Sequence, residues 1–479
     1  GIEDYGIYNL VGGIVTIFAF LNSAMIATSQ RFISYELGKG NLHKLKDVFC
    51  TTLTIHIAIA FIIVVLSEVI GVWFLNTKLN IPSDRMMAAN WTLQLSIFVF
   101  AVNVISVPYN ASIVAHEKMS AFAYISIFEV SLKLAIAYLL LFISYDKLIV
   151  YSILVFCVAL LLRSLYCFYC KRHFEECHYT FSFNIEQFRE MFAFAGWSLV
   201  GNLGFSFKDQ LSNILLNLFF GTVVNAARGI SVQVGSLINS FSANFMMAMN
   251  PQITKSYAVG DLYRSKELVY AGCRFSFYLL AVISLPIMIN ITYILNLWLV
   301  EVPQYTDIFL ILTIVCNLLY AISSPLTTAM QATGRIKWFQ VIICIVMLTE
   351  LPIAYLLLSI GYPPYSVLYA SLFVTLLGVL IRIVLISRIL PIYEIRYYVT
   401  HIFSKNILIV FITYCIAYIL HKKMEQDSFF TAVLSSFILE LILFSLAYLC
   451  GLSSTERYVV NQKLVTILES KRRKNKQKK

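Results

Sequence analysis

The hexapeptide IAYLLL stands at residues 136–141 and again, unchanged, at 353–358. Its surroundings repeat as well. With the chain shifted by 217 residues, Ser106, Pro108, Ala115 and Lys118 fall on Ser323, Pro325, Ala332 and Arg335. A shift of 219 lays Ser152, Val155 and Arg163 on Ser371, Val374 and Arg382. A shift of 222 lays Gly13, Asn22, Gln30, Ser34 and Tyr35 on Gly235, Asn244, Gln252, Ser256 and Tyr257, then Gly38 on Gly260 and Lys44 on Lys266. One such match means little in so biased a composition. The same order maintained over five consecutive apolar segments marks an internal duplication.

The segments that repeat are membrane spans. Of the 479 residues 59% are hydrophobic and 13% charged, with mean hydropathy +0.80. So apolar a chain cannot be wrapped in a water-facing surface. A spanning helix needs roughly 20 mostly apolar residues. Thirteen stretches qualify, near 7–35, 48–75, 89–116, 119–143, 146–170, 190–220, 223–257, 267–299, 304–331, 336–360, 364–390, 403–421 and 428–450. The expected fold is all-α and polytopic. Spans one to five match spans seven to eleven, and the sixth has no counterpart ahead of the first. The parent is therefore expected to hold fourteen spans, one of them preceding Gly1: two parallel six-helix repeats plus two C-terminal helices. The expected division is an N-terminal lobe over 1–170, a linker over 171–189, a C-terminal lobe over 190–390, two further spans within 403–450, and a basic tail over 451–479. Because corresponding spans run the same way, the repeat axis lies along the membrane normal, an arrangement of transporters.

Basic residues orient the chain. Lys and Arg favour the cytoplasmic ends of spans. With residue 1 outside, the inner loops and tail collect twenty-four of them, Lys39, Lys118, Lys255 and Arg335 included, against five outside. This asymmetry accounts for the net charge of +11 without invoking nucleic acid. In the tail, Val459, Val460, Leu464, Ile467 and Leu468 form an apolar stripe ahead of a polybasic end, suited to a membrane surface. The ten cysteines follow no disulfide spacing. Cys167, Cys170, His173, Cys177 and His178 have zinc-ligand chemistry, but they read as a Cys- and aromatic-rich helix end running into a basic loop, so no metal is expected. No phosphate-binding loop, dinucleotide motif or HExxH is present, and outer loops are short, so the chain reads as no enzyme.

Seven basic residues fall inside spans (Arg31, Lys133, Arg163, Lys208, Arg228, Arg274, Arg382) against five acids (Glu68, Glu129, Asp209, Glu350, Glu440). A charge in hydrocarbon costs about 2.5–3.5 kcal/mol even on insertion scales, so such residues face a cavity or a partner. Glu129 and Lys133, four apart, are set to pair on one helix face. Asp209 and Lys208 are adjacent, a spacing that does not put two side chains on one face. Lys133 is expected to meet Glu350.

The stretches DYGIYNLVGG (4–13), SQRFISYELGKG (29–40), FFGTVVNAARGISVQV (219–234) and NPQITKSYAVGD (250–261) resemble the polysaccharide flippases of the multidrug/oligosaccharidyl-lipid/polysaccharide exporter superfamily. The resemblance implies a bacterial inner-membrane protein, C-terminus cytoplasmic, that flips undecaprenyl-pyrophosphate-linked oligosaccharide by alternating access. Its partners would be that glycolipid, membrane lipids and other polysaccharide-assembly proteins. Arg31, Lys208, Arg228 and Arg274, with Lys133, are the candidates for a cationic cavity. Glu129, Asp209, Glu350, Arg163 and Arg382 are the candidate charge partners. No cofactor is implied, and Na+ or H+ as coupling ion stays open. The alternative within the superfamily is a cation-coupled exporter of small amphipathic molecules.

Overall fold

The computed structural model describes residues 19–79, 81–180, 184–422, 429–458 and 461–462, with 4, 7, 8 and 11. Thirteen long helices cover almost all of them: α1 (Ala19–Lys39), α2 (Leu42–Thr77), α3 (Met86–Ala115), α4 (Met119–Leu139), α5 (Lys147–His173), α6 (Ile185–Phe220), α7 (Thr222–Ala258), α8 (Leu262–Ile289), α9 (Thr306–Ala332), α10 (Lys337–Ser359), α11 (Ser366–Ile389), α12 (Ile395–Lys422) and α13 (Phe429–Gly451). Ten of these are long and apolar enough to cross a membrane. The other three are α1, α6 and α7; α6 and α7, at 36 and 37 residues, carry Lys208, Asp209 and Arg228. No strand occurs among the described residues. The chain is a multi-pass membrane protein, as hydropathy implies. The start of the first span, the N-terminal segment around Gly13 and the apolar stripe of the tail lie outside the described residues.

Local sequence sets the helix ends. Asn41 caps α2 by accepting from Lys44 N at 3.1 Å, and Asp146 caps α5 through Leu148 N and Ile149 N at 3.0 and 3.2 Å. Past Ile289, α8 breaks at Asn290 and resumes as a short helix, Ile291–Trp298. Within α10 the helix breaks at Thr349. Pro352 lies just beyond: it cannot donate to the preceding turn, and its ring crowds the carbonyl four residues back.

Helix pairing reproduces the duplication. In the first repeat α3 packs along α2 and α5, and α4 along α5. In the second, α9 packs along α8 and α11, and α10 along α11. The register needs one correction. Gly40 and Gly260, with φ of +70° and +86°, both end a helix in the left-handed conformation that glycine adopts without strain. Gly260 therefore corresponds to Gly40 and not to Gly38, because the loop absorbs two residues relative to the helix before it. Gly38 is used differently: a Cβ there would lie 2.8 Å from the Lys255 backbone.

Contacts divide the chain into two compact units. The first holds residues 1–204, 251–261 and 331–344; the second holds 205–250, 262–330 and 345–479. The first unit thus includes two pieces of the second repeat. Its core gathers Phe32, Phe49, Tyr109, Tyr166 and Phe194. One core cluster of the second unit gathers Leu216, Phe309, Ala354 and Val367.

Candidate functional site

The second unit holds a buried charge cluster built on α6. Lys208 and Asp209 are neighbours there, with Ser212 and Asn213 one turn on. Helix α7 brings Arg228, α11 brings Ser371, and α10 brings Glu350. The break at Thr349 makes Glu350 the first residue of a new helical segment, where the helix dipole favours a carboxylate.

Lys208 Nζ lies 3.1 Å from Glu350 Oε2, 3.3 Å from Asp209 Oδ1 and 3.4 Å from Ser371 Oγ. The Glu350 contact is an ion pair without hydrogen-bond alignment at Oε2. Ser212 Oγ donates to Glu350 Oε1 at 3.1 Å. Arg228 Nε donates to Asn213 Oδ1 at 2.6 Å, and its Nη2 is 3.9 Å from Asp209 Oδ1. Lys208, Arg228 and Glu350 are 6%, 4% and 0% exposed, whereas the Asp209 side chain is 40% exposed. Three charges are thus sealed in, and one carboxylate reaches the surface of the cluster. Two cations and two carboxylates balance formally, so an anion that approaches Lys208 or Arg228 competes with Asp209 and Glu350.

The sequence candidates do not all meet here. Lys208 and Arg228 come together. Arg274, on α8, is taken up elsewhere in the same unit: Nε donates to Glu456 Oε1 and Oε2 at 3.0 and 2.9 Å, and Nη2 to Oε1 at 2.5 Å. Arg31 belongs to the other unit, where it donates to the Gln331 and Ala332 carbonyls at 3.3 and 3.2 Å. Lys133, in that unit too, pairs with Glu129 at 2.6 Å on an exposed face of α4, as its spacing implies. Lys133 and Glu350, expected to meet, each have another partner, because Lys208 fills that place beside Glu350. Asp209 corrects a second expectation. Adjacent backbone positions diverge, yet the long Lys208 side chain curls back to it.

Arg163 and Arg382 lie against tyrosines, Arg163 at 5.8 Å from the Tyr109 ring and Arg382 at 5.4 Å from that of Tyr320. Arg382 donates to Ser323 Oγ at 3.4 Å, and among the described residues no carboxylate pairs with either guanidinium. No group of three metal-ligating side chains forms among the described residues. Cys170 and Cys177 are buried, and Cys170 Sγ points to the Tyr109 carbonyl at 3.4 Å.

A feature that sequence reading missed is a cavity of about 140 Å³ in the first unit, between α1, α2 and α6. Its lining is mostly apolar, with Thr28, Ser29, Thr52 and His56 as polar exceptions. His56 is buried, with Nδ1 2.7 Å from the Thr52 carbonyl and Nε2 3.4 Å from Ser29 Oγ. A lone histidine inside an apolar span was the available signal.

Over residues 198–356 the sequence matches the MatE family model. No curated protein matches the chain. Solved structures do. The MATE transporter ClbM in complex with Rb+ is 14% identical with a TM-score of 0.65, covering 82% of this chain and 91% of its own. A multidrug resistance MATE family transporter of the MOP superfamily in an outward-facing conformation is 11% identical with a TM-score of 0.66, covering 82% and 89%. A MOP superfamily transporter from Pyrococcus furiosus, whose binding pocket of reverse polarity suggests a different function for that protein, is 12% identical with a TM-score of 0.64, covering 81% and 93%. The chain has the fold of these transporters.

Proposed function

We propose that this chain is an alternating-access transporter that moves undecaprenyl-pyrophosphate-linked oligosaccharide across a bacterial inner membrane, with its C-terminus in the cytoplasm. The observation that carries the reading is the burial of Lys208 and Arg228 side by side in the second unit. Two sealed cations, one with the planar fork that suits phosphate oxygens, are groups a pyrophosphate would recruit. Fold alone does not choose the cargo; the chemistry of the site does. The excess of basic over acidic residues in the spans supports an anionic guest, and the loop asymmetry supports the orientation. Outward movement of negative charge follows an inside-negative potential, worth about 2.3 kcal/mol per charge per 100 mV.

A second reading is favoured by Asp209 and Glu350. Two carboxylates beside the cations, one of them exposed, suit a cation-coupled exporter of small amphipathic molecules equally well. The two readings separate in cells. Lys208→Gln with Glu350→Gln, and Arg228→Gln, are followed for surface glycan and for lipid-linked precursor held in the cytoplasmic leaflet. The flippase reading expects precursor to accumulate while the protein remains in the membrane. Undiminished export from both variants sinks it, and loss of resistance to cationic dyes with normal glycan supports the exporter.

A further inference from the structure

We propose that the chain carries a pseudo-symmetric clasp on its basic-loop side, in which the turn after α3 is held by α7 and the turn after its repeat mate α9 is held by α1, and that this clasp keeps that side closed. The two turns correspond under the shift of 217: Ala115, His116, Glu117 and Lys118 fall on Ala332, Thr333, Gly334 and Arg335. Every contact described here lies inside the first unit.

In one half, the turn after α3 reaches α7. Glu117 Oε1 pairs with Lys255 Nζ at 2.7 Å, and Gln252 Nε2 donates to Oε2 at 3.1 Å. In the other half, the turn after α9 receives α1, with the Arg31 guanidinium donating to the carbonyls of Gln331 and Ala332 at the C-terminus of a helix. Helices α1 and α7 are repeat mates, as are α3 and α9. The two halves therefore exchange under the duplication.

Backbone geometry gives the second observation. The repeat places a left-handed residue at this turn, with φ of +58° at Glu117 and +74° at Gly334. Gly334 suits the conformation, and a Cβ there would fall 2.9 Å from Arg31 Nη2. Glu117 has a side chain where its mate has none, and a non-glycine residue at positive φ is strained. The structure keeps that strain where the side chain makes the ion pair with Lys255.

A polar clasp of this kind suits reversible closure. Its ion pair is partly exposed, at 24% for Lys255 and 36% for Glu117, so it is weak enough to break in every cycle. Two conformations need only a small free-energy difference, which each ligand then biases. The assignment of this side to the cytoplasm rests on the proposed orientation; the clasp does not depend on the cargo.

The test uses the full chain in lipid nanodiscs. Spin labels at Lys44→Cys and Val259→Cys, one in each repeat and both exposed, report the separation by pulsed dipolar spectroscopy in a background without the native cysteines. Glu117→Gly relieves the backbone strain and removes the ion pair. It is expected to raise the long-distance population about two- to five-fold, the effect of one partly exposed pair, without lowering thermal stability. Glu117→Lys opens the clasp further, and Glu117→Lys with Lys255→Glu restores the parent distribution. Hydrogen exchange of the turn after α3 and of residues 251–261, on protein with its own cysteines, is expected to rise and fall in parallel. An unchanged distribution in both single variants, or a charge exchange that fails to restore it, overturns the clasp. A clasp that behaves as expected in a protein that moves no glycolipid leaves this inference standing and removes the proposed cargo.

Discussion

Arg274 and Glu456 form a two-point ion pair that fastens the segment after the last span to the interior of α8. Both side chains are at most 9% exposed. Ser453 and Glu456 make a capping box: Ser453 Oγ accepts from Glu456 N at 3.3 Å, and Glu456 Oε2 accepts from Ser453 N at 2.8 Å. The carboxylate is thus aimed by its own helix start. Tyr278, one turn along α8 from Arg274, donates to Asn406 of α12 at 2.5 Å.

Removing one partner leaves an uncompensated buried charge, which costs about 3–5 kcal/mol. We expect Glu456→Ala to lower the thermal midpoint of the purified protein markedly. Arg274→Met with Glu456→Leu should recover most of the loss. Thiol-reactive dye melting reads both, since Cys273 beside Arg274 is buried. Equal melting of the parent and Glu456→Ala would show that the pair contributes nothing.

Much of this architecture was legible because lipid imposes it. The helical succession follows from length and hydropathy, ten of the thirteen long helices being apolar enough to cross a membrane, and the duplication survives as matched Ser, Pro and Arg positions. The pairing of Glu129 with Lys133 was legible because the helix itself sets it. What escaped depends on which way a helix face turns. Lys208 and Arg228 lie twenty positions apart, on either side of the helix break at Gly221, and nothing local announces that Glu350 of α10 joins them. Arg274 looked like a cavity residue because its partner lies 182 positions away, in a tail that composition marks as surface. The S-x-x-E pattern at 453–456 was the local signal that could have identified it. The Gly38 register failed for a simpler reason: the left-handed glycines are Gly40 and Gly260, and the helices after them start at Leu42 and Leu262, so the match there runs two residues short of the shift of 222.

Glycines on α7 should divide by what faces them. A Cβ at Gly235 would lie 2.7 Å from Thr313 Cγ2, and Asn317 Nδ2 donates to the Gly235 carbonyl at 2.9 Å. Small residues let helix backbones approach this closely. Gly235→Ala should destabilise by about 1–3 kcal/mol through overpacking. Gly229, six positions earlier, has nothing within 4 Å. There Ala removes the helix penalty of glycine and should stabilise by about 0.8–1 kcal/mol. Opposite shifts in the thermal midpoint are the expected outcome, and shifts of the same sign would contradict the packing.

Arg163 and Arg382 test the duplication energetically. Arg163 stands on α5 against Tyr109 of α3, and Arg382 on the repeat mate α11 against Tyr320 of α9. Arg382 is 3% exposed, and its Nε has no hydrogen-bond partner among the described residues. A buried charge without a counter-ion is costly, so an apolar replacement of similar volume removes a desolvation penalty. We expect Arg382→Met to raise the thermal midpoint and Arg163→Met, at the less buried site, to raise it less. Destabilisation by Arg382→Met would mean that its contacts with Tyr320 and Ser323 outweigh its desolvation.

The charge cluster should separate stability from transport. Lys208→Met removes the ammonium beside Glu350 and leaves a fully buried carboxylate with Ser212 as its hydrogen-bond donor. The cost should be about 3–5 kcal/mol, and Glu350→Leu in the same chain should return most of it, because two apolar side chains replace a costly desolvated pair. Transport should not return with stability. If Lys208 is a substrate contact, the stable double variant keeps its fold and loses export, whereas Glu350→Gln alone retains Lys208 and keeps part of it. Thermal melting and precursor accumulation are read on the same set of proteins. Full export by the double variant would make the pair a structural tie between α6 and α10, and would leave Arg228 to carry the anion.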